Sequence, residues 1–571
     1  MNYDVVVLGS GIAGSAMATV LAKHGVSTVL IDRAEHPRFS LGESMIPATS
    51  YLLRIMADRY DVPEFDNIST FLKIRKKVTA SAGIKRNFSF VYHDPDRPFD
   101  AAESTMLPVP HHPHGPEAHL YRQDIDAYLY RVAVKYGATV LQNTAITEVD
   151  ENADGVSVTT ADGRAITGKY LLDCTGAFSA VAQKFDLRER PARMRTNSSC
   201  VFTHMIGVKP FDELYSPEQH GLPQPLSQGT LHHIFDGGWL WIIPFDNHDA
   251  ATNDVCSIGL HLDQRGEALF DQTQSPETVF AQFLECFPEI APQFEQARTV
   301  RPWIRIPRTQ YSSKRILGDR YCLVGQAAGA VDALFSRGLY ITMEAVNAIG
   351  WRLIEAVRDN DFDPARFAEV ERLTQGLLDA HDSVVHGSYI AFRSFDLWNA
   401  WNRVWALGGT FSSLRFRQAH LKYKITGDRS HLDNLDTHPF VGTVCADSPE
   451  YQELFTDAYG IMLRVEHGDM EPEKAVAELY ALYEGKAWIP PIYDLANPER
   501  RYVSSGDYRS MVESTMWGYT EAPEEIRKRY FDFPAEYLFG AVRDAEAAEA
   551  RWHTQLTEAA AYPTFGAFDA K

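Results

Sequence analysis

The first thirty-two residues constrain this chain more than any other stretch. Asp4-Val5-Val6-Val7-Leu8 is a short β-branched run of the kind that fills a parallel strand buried on both faces. Gly9, Gly11 and Gly14 follow at once as Gly-x-Gly-x-x-Gly, Ser15 to His24 reads as a helix and Gly25 as its stop. Val26 to Ile31 then reads as a second strand, ending at Asp32. In such a β-α-β unit the first glycine makes the tight turn and the second lets the backbone approach a pyrophosphate. The third lets helix pack on strand, and the first helical amides, those of Ile12 and Ala13, face the phosphate charge. Asp32, with Arg33 beside it, is placed to accept hydrogen bonds from an adenosine ribose. The unit commits the N-terminus to a Rossmann-like α/β domain that binds a dinucleotide.

The pattern recurs farther along. A helix is expected over Ile125 to Tyr136, with strands near Thr139 to Leu141 and Val156 to Thr160, and a strand ending in a turn at Tyr170-Leu171-Leu172-Asp173-Cys174-Thr175-Gly176. From about Arg195 to Arg308 strands dominate, which suggests a sheet layered over the nucleotide domain as a substrate platform. Arg320 to Gly329 returns to strand, turn and helix, and Gly338 to Asp359 reads as one long helix. Beyond roughly residue 375 the chain is aromatic and charged, with helices over Pro472 to Tyr483 and Glu524 to Leu556, and Trp398, Trp401 and Trp405 are expected to pack helices. The class is α/β (α+β). Residues 1–375 form one module, with nucleotide-binding parts at about 1–50, 120–190 and 315–375 and a substrate-side sheet at about 70–115 and 195–308. Residues 376–571 form a mainly helical region that covers the substrate.

Charge and cysteine content narrow the partners. A formal net charge of −21 gives no general attraction to nucleic acid or to an anionic membrane surface, so neither is expected as a partner. No apolar run reaches the roughly 18 residues of a spanning helix, and the N-terminus runs straight into a strand rather than a leader. The six cysteines are far apart, without Cys-x-x-Cys spacing or adjoining histidines. This argues against a zinc site or disulfide framework and for a reduced, cytoplasmic protein. Basic clusters stand at Lys73 to Lys77 and at Arg415-Phe416-Arg417 with Lys422 and Lys424.

A second motif fixes the chemistry. Gly237-Gly238-Trp239-Leu240-Trp241-Ile242-Ile243-Pro244 supplies a Trp-x-Trp-x-Ile-Pro run, and Gly42-Glu43-Ser44-Met45-Ile46-Pro47 and Asp173-Cys174-Thr175-Gly176 lie between it and the nucleotide fingerprint. Together these segments resemble the flavin-dependent halogenases, within the flavoprotein hydroxylases, over about residues 1–375. The resemblance implies FAD, reduced by a separate flavin reductase since one dinucleotide fingerprint is present. It also implies O2 and a halide ion, chloride or bromide. A flavin C4a-hydroperoxide would oxidise halide to hypohalous acid, which a lysine would direct to a phenol, a pyrrole or an activated aliphatic carbon in secondary metabolism. The substrate is a small molecule, either free or tethered to a carrier protein.

Residue by residue, the resemblance implies that Lys85 is the catalytic lysine, with Lys73, Lys76 and Lys77 as competitors. Trp239 and Trp241 would keep the peroxide from organic substrate, and Ser336 with nearby backbone amides would hold halide. FAD would be held by Gly9, Gly11, Ile12, Ala13, Gly14, Asp32 and Arg33, by Glu43, Ser44 and Arg122, and by Gly325, Gln326, Gly338 and Leu339. Two departures stand out. Gln326 occupies the place of the hydroxylases' aspartate, and Phe335 that of the glutamate of tryptophan halogenases, which argues against free tryptophan as substrate. The acidic carrier domain, if one is used, would dock on the basic residues from Arg415 to Lys424. The alternatives are a flavin monooxygenase or polyprenyl-type flavin reductase, and a catalytically idle flavoprotein.

Overall fold

The computed structural model describes residues 1–109, 114–266, 269–503 and 508–561. The opening strand, Asn2–Leu8, lies inside a seven-stranded sheet. It pairs in parallel with Thr28–Ile31 on one side and Ala165–Asp173 on the other. Thr139–Leu141 extends the sheet beyond Thr28–Ile31, also in parallel. Val5, Val6 and Val7 are completely buried because helices cover both faces. The strand Ala165–Asp173 divides its edge, pairing through its first half with Gly155–Thr160 and through its last residues with Tyr321–Leu323. The chain thus returns to the nucleotide sheet at residue 321, and Gly338–Asp359 follows as a helix of 22 residues, with the bounds expected from sequence.

The second sheet has eight strands. In its continuous order Arg298–Thr299, Ser198–Ile206, Val255–Asp263, Gly238–Pro244, Thr230–Phe235, Asn87–His93 and Ser104–Pro108 follow one another, with Ile304–Ile306 paired to Ser198–Ile206. Alternation along Gly238–Pro244 divides the molecule into two cores. Trp239 and Trp241 face the main core, while Leu240 and Ile242 face a smaller apolar core that the helix Pro276–Cys286 covers. That helix interrupts the stretch expected to be dominated by strands. It is started by Ser275, whose hydroxyl accepts from the Thr278 amide, and by Pro276 at its first position.

Beyond residue 367 the structure is helical. Two long helices open it, Ala368–Ala391 and Phe395–Thr426, the latter begun by a Ser394 cap and ended at Gly427 with φ of 72°. The helix expected over Glu524 to Leu556 is two helices, Glu524–Tyr530 and Ala535–Ala561, because Pro534 lacks the donor that a continuous helix needs. Among the described residues no helix is long and apolar enough to cross a membrane.

Candidate active site

Three segments far apart in sequence meet at the carboxyl ends of the parallel strands. A Cβ on Gly9, whose φ is 88°, would lie 2.7 Å from the Cys174 carbonyl oxygen, and one on Gly14 would lie 1.8 Å from the Gly9 oxygen. Both positions therefore require glycine. Gly11 differs: a Cβ there would meet nothing nearer than the Arg38 guanidinium at 3.7 Å, which leaves the approach to the helix N-terminus open. Ile12 and Ala13 begin that helix, and no side chain caps it. The helix from Gly338 and Leu339 is likewise without a side-chain cap, and Gly338 sits 3.9 Å (from its would-be Cβ) from the Gln326 amide nitrogen. Gly325 (φ 61°) makes the turn before Gln326, whose side chain is exposed. Two uncapped helix N-termini beside an open glycine path fit a dinucleotide pyrophosphate and its neighbouring polar chain.

Two charged residues around this cradle, Asp32 and Arg122, are already paired. Asp32 accepts from the Ser10 amide and hydroxyl, both at 2.7 Å, and from Arg38 at 3.0 Å. Although burial opposes ionisation, Arg38 and these donors hold its carboxyl below the ordinary range. Arg33 is exposed and lies 5.9 Å from the ring centre of Phe178, an exposed aromatic at the cradle's rim that sequence reading did not single out. Arg122 grips Asp126 with two bonds, 2.8 and 3.0 Å, and donates to the carbonyls of Leu41 and Gly42 and to Ser40. It thus pins the loop that carries Glu43 and Ser44. Glu43 meets His204 at 2.8 Å, and its other oxygen is buried without a partner.

Lys85 is completely buried. It lies on the short strand Gly83–Lys85, directly opposite Glu117 in the strand Glu117–His119. Its ammonium donates to Ser44 Oγ at 2.8 Å and to the Met45 carbonyl, and stands 3.3 Å from the ring centre of Phe88. Burial pushes its pKa well below the usual lysine value, against the opposing field of Glu117, and burial raises Glu117 to about 7. The competitor Lys73 is partly exposed and ion-paired with Asp66 at 2.7 Å.

From Lys85 the hydrogen bonds run one way. His119 Nδ1 reaches the Pro244 carbonyl at 2.8 Å, and since a carbonyl only accepts, that nitrogen carries the proton. Its Nε2 then accepts from Thr230 Oγ1 at 3.0 Å, and Thr230 accepts from Ser44 at 2.9 Å. Burial holds His119 neutral, with its pKa lowered to about 3, which keeps this direction. Sequence reading picked Ser44 but missed Thr230, His119 and Glu117. Their signal was a polar residue at a core-facing strand position, visible only once the strands are paired.

Trp239 and Trp241 lie on one side of their strand, 5.8 Å apart between ring centres. Trp239 stacks flat on His261 at 4.6 Å and lies 5.5 Å from His232, which in turn stacks on Phe90 at 4.5 Å and on Phe88 at 5.7 Å. A ladder of rings therefore joins the tryptophan pair to the lysine. Trp241 donates to Ser257 at 3.1 Å, whereas the indole N–H of Trp239 has no partner. Burial opposes the charge on His261, but Asp332 at 3.1 Å raises its pKa to about 10, so an imidazolium lies against the Trp239 ring. Asp332 also accepts from Ser198 and Tyr389.

The turn that carries Ser336 uses part of its own donor set. The amides of Ser336 and Leu334 donate to the Ala333 carbonyl and the Asp332 carboxylate, so two of the amides expected to face halide are taken. Ser336 itself sits at φ of 53°. Phe335 is buried and stacks on Trp405 at 4.3 Å. Beside it opens a mainly apolar pocket whose walls include Phe88, Trp405, Tyr51, Tyr493, Arg337 and Arg417. Phe88 separates Lys85 from this pocket, and Trp239 and Trp241 stand on the other side of the ring ladder.

The expected basic surface from Arg415 to Lys424 does not exist as such. Arg415 and Arg417 are buried in the long helix, while Lys422 and Lys424 pair with Asp532 and Asp58. The helical period turned the two arginines inward, a face that a run of charges in sequence does not reveal.

Comparison with known proteins decides the family. The tryptophan halogenase family matches residues 112–404, and an NAD(P)-binding Rossmann-like domain matches residues 7–44. Monodechloroaminopyrrolnitrin halogenase PrnC of Pseudomonas fluorescens is 43% identical over 93% of this chain and 94% of its own length. The chain belongs to the flavin-dependent halogenases. Tetracycline 7-halogenase of Kitasatospora aureofaciens, 39% identical over 92% of this chain and 94% of its own, extends the likeness through the helical C-terminus. The crystal structure of halogenase PltM in complex with phloroglucinol and FAD superposes with a TM-score of 0.84 at 34% identity, over 88% of this chain and 99% of that one.

Proposed function

We propose that this halogenase binds FAD in the Gly9–Gly14 and Gly325–Leu339 cradle and uses Lys85 to direct hypohalous acid to an electron-rich ring in secondary metabolism. Reduced FAD, when bound, supplies with O2 the oxidising power that converts chloride or bromide to hypohalous acid. The remaining work belongs to the chain. Trp239 and Trp241 fill the space beside the ring ladder, so an organic substrate in the Phe88 pocket is kept apart from the cradle and only a small oxidant passes. Ser336, at the turn between cradle and pocket, is the side chain we assign to halide. Ser44 and the Met45 carbonyl hold the Lys85 ammonium against Phe88, leaving it to polarise the oxidant when the Phe88 ring moves aside. Glu117, across the strands, is the nearby base for the proton that the ring loses on substitution.

The observation that carries this reading is a completely buried lysine without a carboxylate in contact, wedged between the Gly-Glu-Ser loop and a pocket wall. Burying a lysine without a partnering carboxylate costs several kcal/mol, met as desolvated charge or as a lowered pKa, and chains retain such groups where they serve chemistry. We infer that reduced flavin comes from a separate reductase in the cytoplasm. We further infer that the substrate is a free small molecule, since the basic residues expected to dock a carrier are buried or paired. The test is product analysis with FAD, a flavin reductase, NADH, O2 and chloride or bromide over a panel of phenols and pyrroles. Halogenated product that requires halide and vanishes in Lys85→Ala while flavin oxidation persists supports the proposal. Hydroxylated product without halide would make the protein a monooxygenase instead.

A further inference from the structure

The pocket beside Phe88 contains a second, unexplained set of buried charges. Arg337 and Arg417 both line it, are 3% and 5% exposed, and have no carboxylate within ion-pairing distance among the described residues. Arg337 spends one N–H on His381, at 3.2 and 3.1 Å to the two ring nitrogens, and its Nη2 has no partner. In Arg417 both Nε and Nη2 are unpartnered. Arg415, two residues away on the same helix, has an anion nearby: it donates to the Leu435 carbonyl and lies 3.5 Å from Glu344, although its Nε too is unpartnered.

The unpartnered atoms are all of one kind. On the described residues that line the pocket, the buried side-chain nitrogens and oxygens without a hydrogen bond are Arg337 Nη2, Arg417 Nε and Nη2, and Trp405 Nε1. Every one is a donor, and Arg and the indole offer no acceptor. The neighbouring Trp398 and Trp401 instead donate to Thr105 and Ser388, each at 3.0 Å. A site whose unpartnered buried atoms are all donors, on two guanidinium groups and an indole, between the rings of Phe88, Tyr51, Trp405 and Tyr493 is complementary to a flat ring that carries acceptors and negative charge. It opposes a ring that presents an amine there, whose N–H groups would face N–H groups.

We propose that Arg337 and Arg417 bind the ionised oxygen of a phenol or conjugated enol and hold the substrate as its phenolate or enolate. This deepens the proposed function and rests on the pocket being the place where substrate meets Lys85. An anionic oxygen releases electrons into the ring and so activates the carbons ortho and para to it toward an electrophilic halogen. The guanidinium pair then sets both the ionisation state and the edge of the ring that faces Phe88 and Lys85. Ring-nitrogen substrates lacking an acidic hydroxyl leave both cations unpaired and bind poorly.

Equilibrium binding tests this without turnover. 4-Nitrophenol, whose ionised form is coloured, is titrated into the FAD-loaded protein across pH without halide or reductant, beside 4-nitroaniline as the neutral donor-bearing analogue. The expected result is binding of the coloured anion, with the bound phenol ionising about 1–3 pH units below the free one, and with nitroaniline at least about tenfold weaker, or about 1.4 kcal/mol. Arg417→Gln and Arg337→Gln should return the ionisation toward the free value, and Arg417→Lys should retain part of the shift. Retained FAD binding reports that the variants are folded. If they lose it, the wild-type contrast between the two ligands still decides. Binding of neutral nitrophenol, or equal affinity for nitroaniline, overturns the proposal. Because no halogen transfer is involved, phenolate binding without halogenation would sink the halogenase reading alone, and halogenation without the ionisation shift would sink this one alone.

Discussion

The nucleotide cradle and the Phe88 pocket treat their cationic groups in opposite ways. In the cradle, Arg38 meets Asp32 and Arg122 closes a two-bond grip on Asp126, so these two guanidinium groups have their anions within the chain. Around the pocket, Lys85, Arg337 and Arg417 have no such partner, and the nearest acid to Lys85 is held across a strand pair. The first arrangement holds loops in place for a cofactor that meets mainly backbone amides. The second leaves charge unspent, which costs folding free energy and makes sense only when a ligand or a reaction uses it.

Removing an unpaired cation should therefore cost chemistry and spare the fold. Lys85→Met is expected to lower halogenation by about 10²–10⁴-fold, while the thermal midpoint stays level or rises. A large fall in the midpoint would show that Lys85 is structural. Removing a paired cation should do the reverse. Arg122→Met leaves Asp126 buried and unpaired and is expected to cost about 3–5 kcal/mol in urea unfolding. Arg417→Met should stay within about 1 kcal/mol of the parent or gain stability, since it removes an uncompensated charge. Equal losses in the two variants would erase the contrast.

The pair between His261 and Asp332 sharpens the comparison through pH. The histidine's folded pKa, about 10, lies above the ordinary 6.5, so its stabilisation is complete below pH 6.5 and is lost as pH rises toward 10. Urea midpoints should fall over that window, and Asp332→Asn should flatten the slope. A slope unchanged by the substitution would mean that another group titrates. The same variant should redden or shift the fluorescence of Trp239, against which the imidazolium is stacked. The smallest effect is expected at the surface. Lys424→Ala, which breaks a half-exposed pair with Asp58, should move stability by no more than about 0.5 kcal/mol.

Much of the scaffold was legible because its signals are local. The β-branched run before Gly9, the glycine spacing and the helix from Gly338 to Asp359 appear in the structure where the sequence put them. Gly14 could be identified as obligatory from spacing alone, since the clash it avoids is with Gly9, five residues away. The errors came where a local pattern met a non-local decision. Pro534 divided a helix that composition favoured, and Arg415 to Lys424 looked like a surface patch until the helix period and Glu344 turned the arginines inward. Trp398, Trp401 and Trp405 read alike in sequence, yet the first two find hydroxyl acceptors and only the third is left with its N–H on the pocket.

The sequence by itself determined the β-α-β nucleotide unit, the tryptophan pair on one side of a strand and the family that these motifs mark. Those features depend on residues within a few positions of one another, where backbone geometry and side-chain period act directly. Only the tertiary structure decided that Lys85 faces Ser44 and Phe88, that a one-way line of hydrogen bonds runs from it to His119, and that Arg337 and Arg417 share a pocket without an anion. Whether a buried charge is paired depends on groups that lie tens to hundreds of residues away, and only the packed chain brings them within bonding distance.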